Sequence, residues 1–541
     1  MSNQSSTTPL GLPSLLTLVI GVFFHSPLSA QDTVSPPALP REFRAVWVAT
    51  VANIDWPSKP GLSTQQQQDE IVAILDRCKS LHLNAVVLQV RTSADAFYAS
   101  DLEPWSEYLT GEQGKAPTPL YDPLELWVRE SHSRGIELHA WFNPYRARHT
   151  EAKSPNATSH IATRLPHAVK SYGGYQWMDP AESNASEQTL KVILDVVRRY
   201  DIDGVHIDDY FYPYPVNETS NGLGDGNQNA KLKTPAEVPF PDDPAWEVYQ
   251  ASSLDLGAKL SRDDWRRRNV DQLIEKIYTG IKQEKKHVKF GISPFGIGKP
   301  SSRPRGIVGF SQYDKLYADA ELWLAKGWLD YFTPQLYWPI DKPPQAFGVL
   351  LDYWAKENTL KRHIWPGIYT SRINNSEASW LPSEIVNQIL LTRNYTANDN
   401  LVRGHVHFSM KCLLENRKSL NDMMKIGVYN SPAAIPASTW LDNVPPPRPM
   451  LRLNAENQKG DSTKANTIKV SVQDGGDVVG FAIWTLEQGT WKISIIPAIK
   501  LASGQAEADF SSPFVPGEKG TVVCSALDRC GNEGDRAKLE F

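Results

Sequence analysis

Cysteine is scarce, with four in 541 residues, at positions 78, 412, 524 and 530. Four are too few for a disulfide scaffold, and their spacing fits no zinc site. Cys524 and Cys530 are near enough in sequence to close a small disulfide in an oxidising compartment. Cys78 and Cys412 fall in or beside expected helices and read as core. Long apolar runs are missing too: residues 15–24, interrupted by Thr17 and Gly21, are too short to span a bilayer, and no later segment does better. Basic residues are not in excess. The net charge of −5 gives no reason to expect nucleic acid as a partner. No G-x-G-x-x-G follows the first expected strand, which removes the main dinucleotide signal and leaves no cofactor expected.

Positive charge is absent from the amino-terminal forty residues, where no Lys or Arg precedes Arg41. The apolar run is nevertheless followed by His25-Ser26-Pro27 and Leu28-Ser29-Ala30, the small-residue ending of a cleaved export signal over residues 1–30. A disordered apolar tail is the alternative. No Cys follows the run, so a lipid anchor is not expected, and the expected location is periplasmic or secreted. What the chain does have is 17 Trp and 20 Tyr. Part of that total must fill a core, and part suits a cleft in which aromatic faces meet the C–H faces of sugar rings.

Apolar strands and amphipathic helical stretches alternate after a Pro-rich lead. Strands are expected at 43–51, 85–91, 137–144, 204–210, 289–296, 331–338, 364–370 and 404–410. Helices are expected between them at 64–81, 123–133, 187–200, 270–284, 312–325, 345–356, 384–393 and 413–426. Eight strand–helix units match a (β/α)₈ barrel over residues 41–430, an α/β fold; an open doubly wound sheet is the alternative. Residues 216–244, rich in Asn, Gly, Asp and Pro, form an insertion after the fourth strand, with no EF-hand pattern for calcium. Residues 431–449, with Pro445-Pro446-Pro447, read as a semi-rigid linker. Beyond it, 450–541 suggests a small antiparallel sandwich of the fibronectin or immunoglobulin type. Every candidate catalytic residue precedes the linker, so that domain is expected to be dispensable for chemistry.

Alternate residues of a barrel strand point inward, and those near its carboxyl end reach the mouth. One face of each strand offers Trp47; Gln89 and Arg91; His139, Trp141 and Asn143; His206 and Asp208. The later strands add Ser293; Gln335 and Tyr337; Tyr369; and His405, His407 and Ser409. A purely structural interior would be Val, Ile and Leu, so this polar and aromatic set suits a polyhydroxylated ligand. The sharpest motif is Asp203-Gly204-Val205-His206-Ile207-Asp208-Asp209-Tyr210. Glycosidases use two carboxyl groups, or one with the substrate's own acetamide. Asp208 and Asp209 can share a pocket only where the strand ends or kinks, as the prolines at 213 and 215 suggest. An ion pair of Asp209 with a nearby loop is the alternative.

Several runs resemble the glycosyl-hydrolase-like barrel family that includes the bacterial divisome-localised glycosyl hydrolase. They are Glu42-Phe43-Arg44-Ala45-Val46-Trp47, Leu88-Gln89-Val90-Arg91 with Asp95-Ala96-Phe97-Tyr98, and Ala140-Trp141-Phe142-Asn143-Pro144-Tyr145-Arg146. The order continues through residues 203–213, Gly291-Ile292-Ser293-Pro294-Phe295-Gly296 and Thr333-Pro334-Gln335-Leu336-Tyr337-Trp338. These motifs add Asp95, Arg146, Tyr210 and Trp338 to the substrate-binding candidates. The resemblance implies a cell-envelope glycosidase, with peptide-stripped peptidoglycan strands as a candidate substrate. By analogy with barrel hexosaminidases, one aspartate would polarise the substrate acetamide and the other act as general acid/base, with Tyr337 and Asn143 bonding the acetamide. An amylase-like alternative makes Asp208 a covalent nucleophile and needs a distant acid among Asp95, Glu103 and Asp341. Two further classes stay open: a metal-dependent hydrolase using His405 and His407 with His139, His206 and Asp208, and a non-catalytic glycan binder.

Overall fold

A computed structural model describes residues 35–217, 237–255, 257–395, 402–454, 466–515 and 517–541. The expected export signal, residues 1–30, and most of the insertion after the fourth strand lie outside the described residues.

Eight parallel strands form the barrel: Phe43–Val48, Ala85–Arg91, Glu137–Phe142, Gly204–Ile207, Lys289–Ile292, Tyr331–Phe332, a split seventh strand, and Gly404–His407. The seventh consists of His363–Ile364 and Gly367–Ile368, parted by Pro366, which has no N–H to give a ladder. Its first half pairs with the sixth strand and its second with the eighth, while the first strand pairs with both the second and the eighth. The sheet therefore closes on itself, and the open-sheet alternative is set aside.

Outward side chains such as Val46, Val48, Val86, Leu88 and Val90 are fully buried beneath the helices. The helix Thr64–Ser80 covers them with Ile71, Ile74, Leu75 and Cys78, and it is started by a capping box between Ser63 and Gln66. The interior holds Phe43, Ala45, Trp47, Ala85, Val87, Trp141, Tyr331, Trp365 and Val406. Two glycines make room for the large rings. A Cβ on Gly291 would lie 1.9 Å from Tyr331 Cζ, and one on Gly204 would lie 2.4 Å from His139 Nδ1.

The carboxyl-terminal residues form two four-stranded antiparallel sheets. One runs Met450–Leu453, Thr467–Val472, Ala506–Ser511, Ile499–Lys500; the other runs Thr490–Pro497, Val478–Glu487, Thr521–Asp528, Ala537–Glu540. Ile468, Val470, Phe481, Ile483, Phe510 and Cys524 fill the space between them. Cys524 and Cys530 are free thiols rather than the disulfide weighed from sequence. The first faces the sandwich core, and the second sits in a loop whose carbonyl binds Ser438 N.

The sandwich sits against the amino-terminal ends of the barrel strands. Arg529 pairs with Asp201 at 2.6 Å, and Trp440 Nε1 donates to Asp330 at 2.9 Å. Residues 431–449, read as a linker, are anchored on both sides. Ala433, Ala434, Ser438 and Leu441 are buried, and Asn84 Nδ2 donates to Ala433 O at 2.9 Å. The Pro content marks an extended path there, and the path is pinned by packing. A cavity of about 250 Å³, lined by Ile136, Asp203, Ile435, Ile496 and Arg529 among others, occupies this seam, at the opposite end of the barrel from the aspartate pair.

Candidate active site

The fourth strand ends at Ile207, so Asp208 and Asp209 leave regular pleating and both turn into the mouth of the barrel. Both are buried, at 3% and 4% exposure. Asp208 accepts the indole N–H of Trp141 at 3.0 Å and the Asn143 amide at 3.3 Å. Asn143 is itself held by the backbone, its Oδ1 accepting Arg146 N at 2.8 Å. Asp209 accepts the Tyr214 phenol and a further hydrogen bond from Gln335, whose Nε2 also reaches Ser293 O at 2.8 Å. Burial pushes the Asp208 carboxyl up to about 7; Arg146 opposes that shift and the neighbouring Asp209 adds to it. Burial also raises Asp209, against the hydrogen bonds from Tyr214 and Gln335.

Beneath the pair, His206 Nε2 receives Trp47 Nε1 at 3.3 Å and Ser293 Oγ lies 2.9 Å away. An indole can only donate, so His206 Nε2 accepts and its Nδ1–H points to Tyr331 Oη at 3.0 Å. Tyr331 then donates to His139 Nδ1 at 2.8 Å, and His139 Nε2–H to Glu137 at 2.9 Å, with Lys289 on the far carboxylate oxygen at 2.7 Å. A polar file thus runs along the barrel axis. Burial, with His139 beside it, holds His206 well below the usual histidine range, so it is neutral.

Aromatic side chains line two runs from the aspartates. Tyr337 lies 4.8 Å from Tyr369 and 5.7 Å from Phe408, centroid to centroid. Tyr214 lies 5.1 Å from Phe310, which meets Phe295 and then Trp338 at 5.2 and 5.6 Å. Burial raises the Tyr337 phenol, and the nearby Asp209 and Asp208 add to the shift. Gly367 permits this packing, since a Cβ there would lie 2.7 Å from Trp47.

The structure thus gathers Asp208, Asp209, Trp47, Trp141, Asn143, Arg146, His206, Tyr210, Ser293, Gln335, Tyr337, Trp338 and Tyr369 around one mouth. Other expected site residues are committed elsewhere. The ladder slips between Gln89 and Arg91, and Arg91 is fully buried in a forked pair with Glu103 at 2.6 and 2.7 Å. Gln89 Oε1 instead accepts Thr50 N and Val51 N, at 3.1 and 2.9 Å. Asp95 Oδ1 ties its own loop through Thr92 Oγ1 and Ser93 N at 2.7 and 2.9 Å. His139 belongs to the axial file below the mouth. The eighth strand has the opposite facing to that expected: Val406 is interior, while His405 and His407 both bind the Tyr429 hydroxyl. Ser409 Oγ donates to the buried Asp55 at 2.8 Å. Glu103 and Asp95 are therefore unsuited as the distant acid of an amylase-like arrangement. Sequence reasoning missed Tyr214 and Phe408. The Pro-Tyr-Pro run at 213–215 was the signal for the first, and the correct facing of the eighth strand would have found the second.

The family model for glycosyl hydrolase-like 10 proteins matches residues 42–382, a span that includes both aspartates and their donors. The chain belongs to the glycosyl hydrolase-like 10 family. Its relatives include the glycosyl hydrolase YngK of Bacillus subtilis (strain 168), 37% identical over 533 residues and 97% of each chain. The glycosyl hydrolase DigH of Escherichia coli (strain K12) is 33% identical over 348 residues, covering 61% of this chain and 72% of its own. The glycoside hydrolase domain of PgaB (BpsB) from Bordetella bronchiseptica aligns with 72% of this chain and 99% of its own, with a TM-score of 0.45 and 12% identity.

Proposed function

We propose that this glycosyl hydrolase-like 10 protein is an exported glycoside hydrolase acting on 2-acetamido glycans of the bacterial cell wall, with peptide-free peptidoglycan strands as the substrate. The observation that carries the reading is the buried Asp208–Asp209 pair at the carboxyl end of the fourth strand, ringed by amide donors and aromatic faces. Asp208, whose carboxyl is pushed up to about 7, holds a proton near neutrality and delivers it to the leaving glycosidic oxygen. Asp209, held by Tyr214 and Gln335, polarises the substrate acetamide. The acetamide oxygen then attacks the anomeric carbon as the bond to the leaving group breaks. Water, deprotonated by the Asp208 carboxylate, opens the ring intermediate and restores both groups. Trp141 and Asn143 keep Asp208 oriented across the two steps.

Incubation with intact and with peptide-stripped peptidoglycan, followed by mass analysis, tests the reading. Shorter saccharides from the stripped strands are expected; unchanged strands in both reactions would leave a glycan-binding barrel without this chemistry.

A further inference from the structure

Two arginines lie near each other, one at the end of the second strand and one four residues past the third, and meet opposite fates. Arg91 spends its guanidinium inside the protein, on Glu103 and on Asn143 O at 2.6 Å. Arg146, three residues after Asn143, gives only its Nε, to Thr92 O at 3.0 Å. Among the described residues its terminal nitrogens meet no acceptor and no carboxylate comes within ion-pair distance, and neither nitrogen is sealed from solvent. The side chain is nonetheless almost wholly buried, at 3% exposure, and fixed over the Tyr210 ring at 5.0 Å. An immobilised guanidinium fork with its donors unused, beside two reactive carboxyls, is an arrangement that costs stability unless something else fills it.

We propose that Arg146 is the receptor for a carboxylate carried by the saccharide, so that the glycan taken by this site is acidic. The inference rests on the glycan-cleaving site described above and names the residue that selects its substrate. A planar fork pairs with a planar carboxylate through two parallel N–H···O bonds, which a hydroxyl or an acetamide cannot reproduce. The Tyr210 ring beneath keeps the fork from turning away, and the aspartates, at longer range, leave its hydrogen bonds open. Neutral 2-acetamido chains offer Arg146 no such partner. Peptide-free peptidoglycan strands do, through the lactyl carboxylate on alternate sugars.

The test compares such strands with the same strands after chemical reduction of their carboxylates to alcohols, reading cleavage and, by calorimetric titration, binding. The full chain is expected to favour the acidic strands by about tenfold to a hundredfold, the range for a charge-assisted pair against its loss. Arg146→Gln should bring that ratio close to one, and Arg146→Lys, which keeps charge without the fork, should retain part of it. Equal handling of both strands by the unmodified protein, or a preference that survives in Arg146→Gln, would overturn the assignment. The comparison on the unmodified protein decides the matter even if a variant folds poorly. Preferential binding of acidic strands with no cleavage would support Arg146 as receptor while counting against the hydrolase reading.

Discussion

Trp141 donates its indole proton to Asp208 from the neighbouring strand, 3.0 Å away, and so favours the ionised carboxylate that burial disfavours. Trp141→Phe keeps the ring and deletes the donor. With one fewer hydrogen bond to the anion, the Asp208 carboxyl should rise further above its already raised value. The alkaline limb of the kcat/KM profile, where the general acid loses its proton, is then expected at higher pH. A limb that stays in place, or moves down, assigns the proton to another group.

Replacing the carboxyls should separate their roles. Asp208→Asn and Asp209→Asn are each expected to lower the rate by at least about 10²-fold on natural glycan. The first should recover much of its activity on an aryl glycoside with a good leaving group, because protonation then matters less. The second should stay slow on both, since ring closure itself is impaired. Full activity in either variant removes that residue from the mechanism.

The raised Asp208 carboxyl also has a stability consequence. Below about pH 4 folded and unfolded chains both hold this proton, and the group is neutral to stability. Between pH 4 and 7 the unfolded state ionises first, so the contribution of Asp208 to folding worsens as pH rises and is fully unfavourable above 7. Asp208→Asn should therefore be more stable than the parent at pH 8, by on the order of 2–4 kcal/mol, with the advantage vanishing near pH 4. Denaturant midpoints at the two pH values measure this; equal differences at both would refute it.

Arg91 and Glu103 call for the opposite result. Their pair is sealed from solvent, with side-chain exposures of 0% and 1%, so Glu103→Gln leaves a buried guanidinium without its counter-charge. A loss of about 3 kcal/mol or more is expected in chemical denaturation. The rate per folded molecule should change little, whereas a fully stable but inactive variant would return Glu103 to the catalytic candidates.

The carboxyl-terminal sandwich is more than an appendage. Arg529 holds Asp201 at 2.6 Å and faces Asp203, the residue that opens the aspartate-bearing strand and that His132 also binds at 2.8 Å. Arg529→Ala should lower the melting temperature by several degrees, consistent with about 1–2 kcal/mol for a partly exposed pair. A chain ended near Tyr429 would uncover Leu39 and leave Asp201 and Asp203 without Arg529, and is expected to aggregate or melt early. A soluble, fully active product of that truncation would contradict the picture.

Much of the barrel was legible because each strand announces itself by apolar residues bounded by helix-starting and turn residues; seven fall within the expected stretches, and the split seventh starts one residue early, at His363. The aspartate pair was legible because Gly204 to Asp209 carries a reactive type at the end of a strand. Facing was harder to read. At Arg91 the ladder slips by one residue, and in the eighth strand the alternation of His405, Val406, His407 and Phe408 offers two self-consistent choices. Only the position of Tyr429, more than twenty residues on, decides which of them points outward. Tyr214 was obscured for a different reason, since it lies beyond the strand, where no periodicity operates. The pinning of residues 431–449 depends on the barrel floor and the sandwich together, which neither stretch reveals alone.

The file through the barrel axis limits how this sequence can drift. Tyr331→Phe would orphan His206 Nδ1 and His139 Nδ1 in one stroke, and any side chain at position 291 would collide with the ring that joins them. A single apolar replacement at the centre leaves two stranded polar atoms, and a single enlargement leaves a clash. Chains that keep Tyr331 should therefore keep Gly291, and chains that keep His139 and His206 should keep a hydroxyl between them.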